Sequence, residues 1–290
     1  MRILVTGAGG MLGRDVVDAC EARRHEVVAL TRDVLDITDG PAVDEALRTS
    51  RPDVVINCAA WTDVDGAEEH PDEASRVNDE GAALAAGAAA AAGAKFVFLS
   101  TDYVFDGSRR RPYVESDPTE PLSAYGRSKL GGETSVAVAN AEHFIVRSSW
   151  LFGVGGRNFV ETMLALADEQ PEVVVVSDQV GCPTYTGHLA EALCELVQGW
   201  EFGIHHIAAA GQCSWYEFAQ EIFDQAELDT AVLSATTDML ARPAPRPAFS
   251  ILRSERRDPI VLPHWREGLA AYLAQRQATP PAGAGQGARR

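Results

Sequence analysis

Strand-like runs rich in β-branched and other apolar residues recur through the first half of the chain, at 3–6, 26–30, 53–58, 95–100 and 143–148. Helical stretches separate them, over about 12–23, 41–49, 78–93 and 125–140. That alternation predicts βαβ units and a parallel sheet, an α/β architecture. Past Trp150 the pattern changes to a helix near 158–169, the strand "EVVVVSD", the loop "QVGCPTYT" and a helix near 187–198. The strand "GIHHIA" is expected to return to the main sheet, and the helix "SWYEFAQEIFDQ" with the Pro-rich loop 243–247 predicts a small second lobe. The final stretch, 275–290, lacks apolar anchors and is expected to be a disordered tail.

Composition narrows the function classes. The 290 residues suit one large α/β unit or a nucleotide domain with a smaller partner, and a hydrophobic fraction of 46% permits a sizeable core. Lys and Arg number 25 against 42 Asp and Glu, a formal charge of −17 without any Lys/Arg-rich run. Nucleic acid and anionic membranes are therefore poor partners. The five cysteines, at 20, 58, 182, 194 and 213, show neither Cys-x-x-Cys nor Cys/His spacing, so no disulfide framework and no metal site is expected. A reducing cytoplasm fits best. The opening "MRILVTGAGG" lacks the apolar core of a signal peptide, in keeping with a cytoplasmic location. The Ala-rich run 82–94 is too short and too weakly apolar for a membrane span, and predicts a buried or half-buried helix.

Candidate chemistry begins at "LVTGAGGMLGRDVV", where Gly7, Gly10 and Gly13 lie between a predicted strand and a predicted helix. In that context small residues let the backbone approach a pyrophosphate, and the helix N-terminus offers free N–H groups and partial positive charge. A tight turn without a ligand is the plain alternative. The second strand ends "ALTRD", where an acid would bond a ribose 2′-hydroxyl and an arginine would meet a 2′-phosphate. With both Arg32 and Asp33 present, NADPH is the preferred cofactor and NADH stays open. Asp36 and Ile37 are placed to flank the adenine, although Asp36 or Asp39 would serve equally as a helix N-cap.

Two further segments carry the reactive groups. "FLSTDYVFDG" leaves Ser100, Thr101, Asp102 and Tyr103 at a strand's carboxyl end, where open α/β sheets bind ligands. Capping a turn would explain Ser100 and Thr101 equally well. "SAYGRSK" sets Tyr125 and Lys129 four residues apart, on one helix face. Such a pair often only decorates a surface. It also suits proton donation to a carbonyl, because a neighbouring ammonium lowers the pKa of a phenol.

Taken in order, a strand, a glycine loop, Ser/Thr at a later strand end and then Tyr-x-x-x-Lys resemble the extended short-chain dehydrogenase/reductase family. The segments "PDVVINCAAWTDVDGAE", "STDYVF", "YGRSKLGGE", "RSSWLFG", "NFVETML", "DQVGCPT" and "SWYEFA" narrow the resemblance to its dTDP-4-dehydrorhamnose reductases, over residues 2 to about 273. The resemblance implies a Rossmann-type doubly wound sheet from 1–149 and about 186–209, with a smaller C-terminal α+β sugar-nucleotide lobe from about 150–185 and 210–274. It implies hydride transfer to C4 of a dTDP-4-keto-6-deoxysugar, with Tyr125 as proton donor, Thr101 polarising the oxygen, and Lys129 lowering the phenol pKa and holding the nicotinamide ribose. Cofactor contacts would come from Gly7, Gly10, Met11, Leu12, Gly13, Thr31, Arg32, Asp36, Ile37, Ala59, Ala60, Trp61, Thr62 and Leu99. Met11 departs from the Gln often found there, but its backbone can still serve the pyrophosphate. Sugar contacts would come from Asp102, Tyr103 and Trp150, a packed core tryptophan being the alternative for the last. The thymidine diphosphate would meet Asn158, Pro183, Thr184, Trp215 and Arg246, whose guanidinium suits a diphosphate. Family members also raise a Mg²⁺-assisted homodimer, although no ligand cluster compels a metal.

Three rival functions share the fold. A dehydratase of this family carries Asp-Glu after the Thr, whereas this chain has Asp102-Tyr103, which disfavours elimination. An epimerase that retains its cofactor is separated by redox stoichiometry. A non-catalytic regulatory subunit, as the β subunit of methionine adenosyltransferase resembles, is disfavoured by the presence of Thr101, Tyr125 and Lys129 together.

Overall fold

A computed structural model describes residues 1–278. β1 (Arg2–Thr6) leads into α1 (Met11–Ala22), and β2 (Glu26–Leu30) into α2 (Gly40–Ser50). After β3 (Val54–Asn57) come α3 (Gly66–Glu69), α4 (Pro71–Ser75), a π-helical turn (Arg76–Gly81) and α5 (Ala82–Ala91). β4 (Lys95–Thr101), a 3-10 turn (Asp102–Val104), α6 (Ala124–Ala139) and β5 (His143–Ser148) complete the first half. The second half contains β6 (Leu151–Phe152), α7 (Phe159–Glu169), β7 (Glu172–Val176), β8 (Val180–Gly181), β9 (Thr184–Tyr185) and α8 (Thr186–Leu196). It continues through β10 (Gly203–His206), β11 (Cys213–Ser214), α9 (Trp215–Gln225), β12 (Ala231–Ala235) and α10 (Trp265–Ala278).

Six strands form one parallel sheet in the order β2-β1-β3-β4-β5-β10. Its residues alternate between two apolar faces, as the two-residue period of a strand requires. Ile3, Val5, Val54, Ile56 and Val97 meet Val16 of α1 and Leu189 and Leu193 of α8 on one side. Leu4, Val55, Phe96, Phe98 and Ile145 meet Val43 and Leu47 of α2, Ala85 and Ala89 of α5 and Val136 of α6 on the other. Helices on both faces make the sheet doubly wound. The chain reverses its direction of travel at β1, so the carboxyl ends of β1 and its neighbours β2 and β3 open a crevice for a ligand.

A second cluster of buried side chains gathers Phe152, Val160, Met163, Phe218, Ile222, Trp265 and Tyr272 from the elements after β5. β7 and β12 pair in parallel beside it, with Val173 and Val175 turned inward. β12, "AVLSA", escaped the sequence reading because its apolar run is only three residues long and its side chains are mostly exposed. Two expectations are corrected. The helix foreseen over 78–93 opens as a π turn, widened where the buried Asn78 reaches sideways to Trp61 and Ser128. Residues 275–278, expected to belong to the tail, are instead the last turn of α10, with Tyr185 donating to Gln275 at 2.7 Å and Arg276 bonding Glu161 at 2.9 Å. Residues 279–290 of that tail lie outside the described part. Of the two carboxylates offered as a helix N-cap, Asp39 takes that place on α2, accepting from the Ala42 N–H, whereas Asp36 accepts from the backbone and hydroxyl of Thr38.

One polar linkage crosses the core. Arg147 of β5 donates from Nε and Nη2 to Glu133 of α6 at 2.8 and 2.6 Å, and Ser100 of β4 donates to the same carboxylate at 2.5 Å. Both charged side chains are almost fully buried. Glu133→Ala would strand the guanidinium, so it should destabilise the fold by roughly 3–5 kcal/mol in urea titrations. A paired Glu133→Leu/Arg147→Met variant should recover much of that loss, and equal losses for single and double variants would show that the pair is not what matters.

Candidate active site

The helix that carries Tyr125 starts under tight control. The Ser123 side chain caps it by accepting from the Gly126 N–H at 3.1 Å, and the Ala124 N–H donates to Glu68 of α3 at 2.7 Å. Gly126 is required there, because a Cβ would stand 2.3 Å from the Tyr103 carbonyl oxygen. Without that side chain the first turn of α6 closes on the segment following β4. The Tyr103 and Tyr125 rings consequently meet edge to face, with centroids 6.0 Å apart.

Thr101 ends β4 and does two things. Its oxygen caps the 3-10 turn by accepting from the Tyr103 N–H at 3.2 Å, and its hydroxyl donates to Asp102 Oδ1 at 3.1 Å. The same side chain bonds the Tyr125 phenol and lowers its pKa, but burial and the nearby Asp102 outweigh it and raise the phenol to about 12. Asp102 is itself pushed up to about 7 by burial, against bonds from Ser250 and Thr101, and its Oδ2 is buried without a hydrogen-bond partner. Burial also raises Tyr103, helped by Asp102.

Lys129 lies one turn beyond Tyr125 and is 2% exposed. Its Nζ sits 4.2 Å from the centre of the Phe98 ring. Burial lowers its pKa to about 7, with Glu133 and Cys58 opposing. Dehydration thus acts on both members of the pair, raising the Tyr125 phenol and leaving the Lys129 amine only partly charged near neutral pH.

The glycine loop lines the crevice at β1. Gly7 has φ +62 and a Cβ there would stand 2.5 Å from the Ala59 nitrogen, so the turn after β1 packs directly on the turn after β3. Gly10 begins α1 with no side-chain cap, and Met11, Leu12 and Gly13 form its first turn, leaving backbone N–H groups for an anion. Met11 also receives the loop after β6, its Sδ accepting from the Asn158 amide at 3.8 Å. Thr31 touches the loop: its Cγ2 would lie 3.4 Å from a Cβ on Gly9. Arg32 and Asp33 stand exposed past β2. The Asp36 carboxyl is lowered chiefly by Thr38, with Arg32 and Arg76 helping, and Arg76 donates to the Thr38 hydroxyl at 3.2 Å. Ile37 is buried beside them.

After β3, Ala59, Ala60 and Trp61 are half-buried and Thr62 is exposed. Trp61 is held at both backbone polar groups by the Asn78 amide, at 2.9 and 3.0 Å, and packs with Tyr125 around Ala67, Ala74 and Ala124. Leu99 is a core residue of β4. Asn78 and Arg76 were missed by the sequence reading, since neither belongs to a recognisable pattern.

The residues expected at the sugar nucleotide divide. Trp150, at φ +48, stacks on Trp215 at 3.6 Å and 5°, so these two expected contacts are one aromatic unit. Arg246 donates to Asp65 at 2.9 Å, and the Ala244 N–H donates to the same carboxylate at 3.1 Å, tying the Pro-rich loop to the segment after β3. Three of the assigned residues already serve the chain's own packing. Thr184 is fully buried, with Oγ1 accepting from the Ala209 N–H at 3.2 Å, and the adjacent Pro183 is buried with it. Asn158 caps α7 through Oδ1 and donates to the Gly153 and Gly156 carbonyls, so its amide is committed to the chain's own loop. Among the described residues no cluster of three or more His, Cys, Asp or Glu side chains could hold a metal, so the Mg²⁺ raised by resemblance finds no such site. No described helix is long and apolar enough to cross a membrane.

A doubly wound parallel sheet with a glycine loop at its first crossover, and with Thr, Tyr and Lys gathered where β4 meets α6, defines an extended short-chain dehydrogenase/reductase. More narrowly, the chain belongs to the family described as RmlD substrate binding domain, whose model matches residues 1–278. It is similar to the dTDP-4-dehydrorhamnose reductase of Streptomyces griseus, 46% identical over 278 residues covering 92% of this chain and 91% of that one. A solved dTDP-4-dehydrorhamnose reductase from Clostridium acetobutylicum superimposes with a TM-score of 0.93 at 42% identity, covering 96% of this chain and 100% of that one. The dTDP-4-dehydrorhamnose reductase of Bacillus anthracis, solved in complex with NADP, matches with a TM-score of 0.92 at 38% identity, covering 94% and 99%.

The buried amine has a measurable cost. Its folded pKa of about 7 lies below the ordinary 10.5, so below pH 7 the folded state carries the full penalty of a dehydrated charge. Between those values the penalty shrinks as pH rises, and above 10.5 it is gone. Lys129→Met should therefore stabilise the cofactor-free protein at pH 7 in urea titrations, with the gain fading as pH approaches 10.5. A gain independent of pH would assign the effect to packing.

Proposed function

We propose that the protein reduces the C4 ketone of dTDP-4-dehydro-L-rhamnose to dTDP-L-rhamnose, using NADPH. The observation that carries this reading is the placement of Tyr125 on the first turn of α6, packed against the Tyr103 turn that follows Thr101 at the carboxyl end of β4. It occurs in a chain that resembles named reductases along nearly its whole length. The glycine loop and the uncapped start of α1 fit a dinucleotide, with Arg32 and Arg76 near the end of β2 suited to a 2′-phosphate.

When bound, the dihydronicotinamide supplies the hydride for C4. This chain's residues manage the oxygen. Tyr125 donates its proton to the carbonyl, Thr101 polarises that oxygen with a second hydrogen bond, and Lys129 holds the nicotinamide ribose. Asp102, with a free buried oxygen, and Tyr103 receive the sugar hydroxyls. The Trp150–Trp215 stack borders the sugar, and Arg246 exchanges Asp65 for the diphosphate. The elements after Trp150 form the sugar-nucleotide lobe in this reading, with Asn158 and Thr184 supporting it from within.

Purified protein supplied with dTDP-4-dehydro-L-rhamnose should consume one NADPH per sugar, and NMR should identify dTDP-L-rhamnose. Absence of NADPH consumption, or formation of a 4-keto-6-deoxy sugar from dTDP-glucose, would overturn the reading. Tyr125→Phe should lower kcat by about 10² or more while leaving NADPH affinity nearly intact. Arg32→Ala should weaken NADPH more than NADH, by about ten- to a hundredfold in relative affinity, as expected for a charge-assisted bond of roughly 1.5–3 kcal/mol. Equal losses for both cofactors would mean that the guanidinium points elsewhere.

A further inference from the structure

α1 and α8 lie side by side on one face of the sheet, and their contact encloses two thiols. Cys20 Sγ and Cys194 Sγ are 2.8 Å apart although 174 residues separate them in sequence. Both are fully buried. At the rim of the same contact Arg23 pairs with Glu191, three residues from each cysteine along its own segment. The guanidinium lowers the pKa of both sulfurs, and the S–H···S bond divides their roles. Either sulfur can donate: with the proton on Cys20 the bond raises Cys20 and lowers Cys194, and the opposite placement reverses the two. The other three thiols lack such a partner sulfur: burial raises the pKa of Cys58, Cys182 and Cys213.

We propose that Cys20 and Cys194 form an oxidant-sensitive dithiol that a small peroxide converts into a disulfide joining α1 to α8. The site stands apart from the proposed reductase chemistry and does not depend on it. A disulfide needs sulfurs at ~2.05 Å, so closing the gap takes a movement of under ~1 Å. In the first step the sulfur that accepts the S–H···S bond, written here as Cys194, attacks one oxygen of hydrogen peroxide. The O–O bond breaks, a sulfenic acid forms, and the departing oxygen leaves as water after taking up a proton. In the second step Cys20 Sγ attacks the sulfenic sulfur. The S–S bond forms, the S–O bond breaks, and the hydroxide leaves as water with the Cys20 proton. Two thiols lose two electrons and two protons, and one peroxide becomes two waters. Burial selects the oxidant, because glutathione disulfide is too large to reach sulfurs between packed helices. The resulting cross-link spans most of the chain, so it restricts the unfolded ensemble strongly.

The test uses the full reduced chain, exposed to hydrogen peroxide, then denatured, alkylated and analysed by mass spectrometry. Three of the five thiols should remain alkylatable, and the peptides containing Cys20 and Cys194 should appear as one species that dithiothreitol separates. The oxidised protein should unfold at a temperature several degrees higher, and dithiothreitol should reverse the shift. Cys20→Ser and Cys194→Ser should each abolish the linked species, and Arg23→Gln should slow its formation severalfold. Five alkylatable thiols after peroxide treatment would overturn the proposal, as would Cys194 driven to sulfinic acid without linked peptides in the unaltered chain.

Discussion

The buried bond between Glu133 and Arg147 governs how the reactive helix sits. A helix on a sheet is free to roll about its own axis unless something specific stops it, and apolar packing is a poor stop because it has little direction. Here the carboxylate at the third turn of α6 is held by a guanidinium on β5 and a hydroxyl on β4. Tyr125, Lys129 and Glu133 follow one another at four-residue intervals, so a clamp on the last sets the rotation of the other two. A buried ion pair adds little net stability compared with apolar replacements, but its geometry is demanding. Orientation is what the linkage supplies.

Dehydration then sets the protonation states on that face. Burial favours the neutral form of every titratable group, and its direction depends on the group: the phenol rises, the carboxyl of Asp102 rises, and the amine falls. The crevice therefore keeps Tyr125 protonated and Lys129 partly discharged near neutral pH.

Local features of the site were legible in the sequence, and contacts between distant segments were not. The glycine loop could be read because its requirements are backbone conformation and size, which a few consecutive residues determine. The parallel sheet could be read because each strand announces itself as an apolar run. The Asn78 bridge to Trp61, the stacking of Trp150 on Trp215 and the Asp65–Arg246 pair join segments 17, 65 and 181 residues apart, and no local pattern encodes them. Thr184 looked available for the same reason, since its burial is imposed by Ala209 from elsewhere. Asn158 is different: an Asn followed three residues later by Glu161 before an apolar helix is an N-cap signature, so its structural role was readable.

The position of β10 and α8 has a consequence for synthesis on the ribosome. The residues that complete the β1-to-β5 part of the sheet have all emerged once His143–Ser148 is made, but the outer edge of β5 waits for Gly203–His206, and α8 covers the face bearing Val5 and Ile56 only after it follows. Until then a nascent chain carries an open strand edge and an aliphatic surface that α1 covers only in part, both of which invite pairing with other chains. The interval spans about fifty residues, or some seconds at ordinary elongation rates of roughly 5–20 residues per second. During those seconds the first half of the sheet depends on segments that the ribosome has not yet delivered.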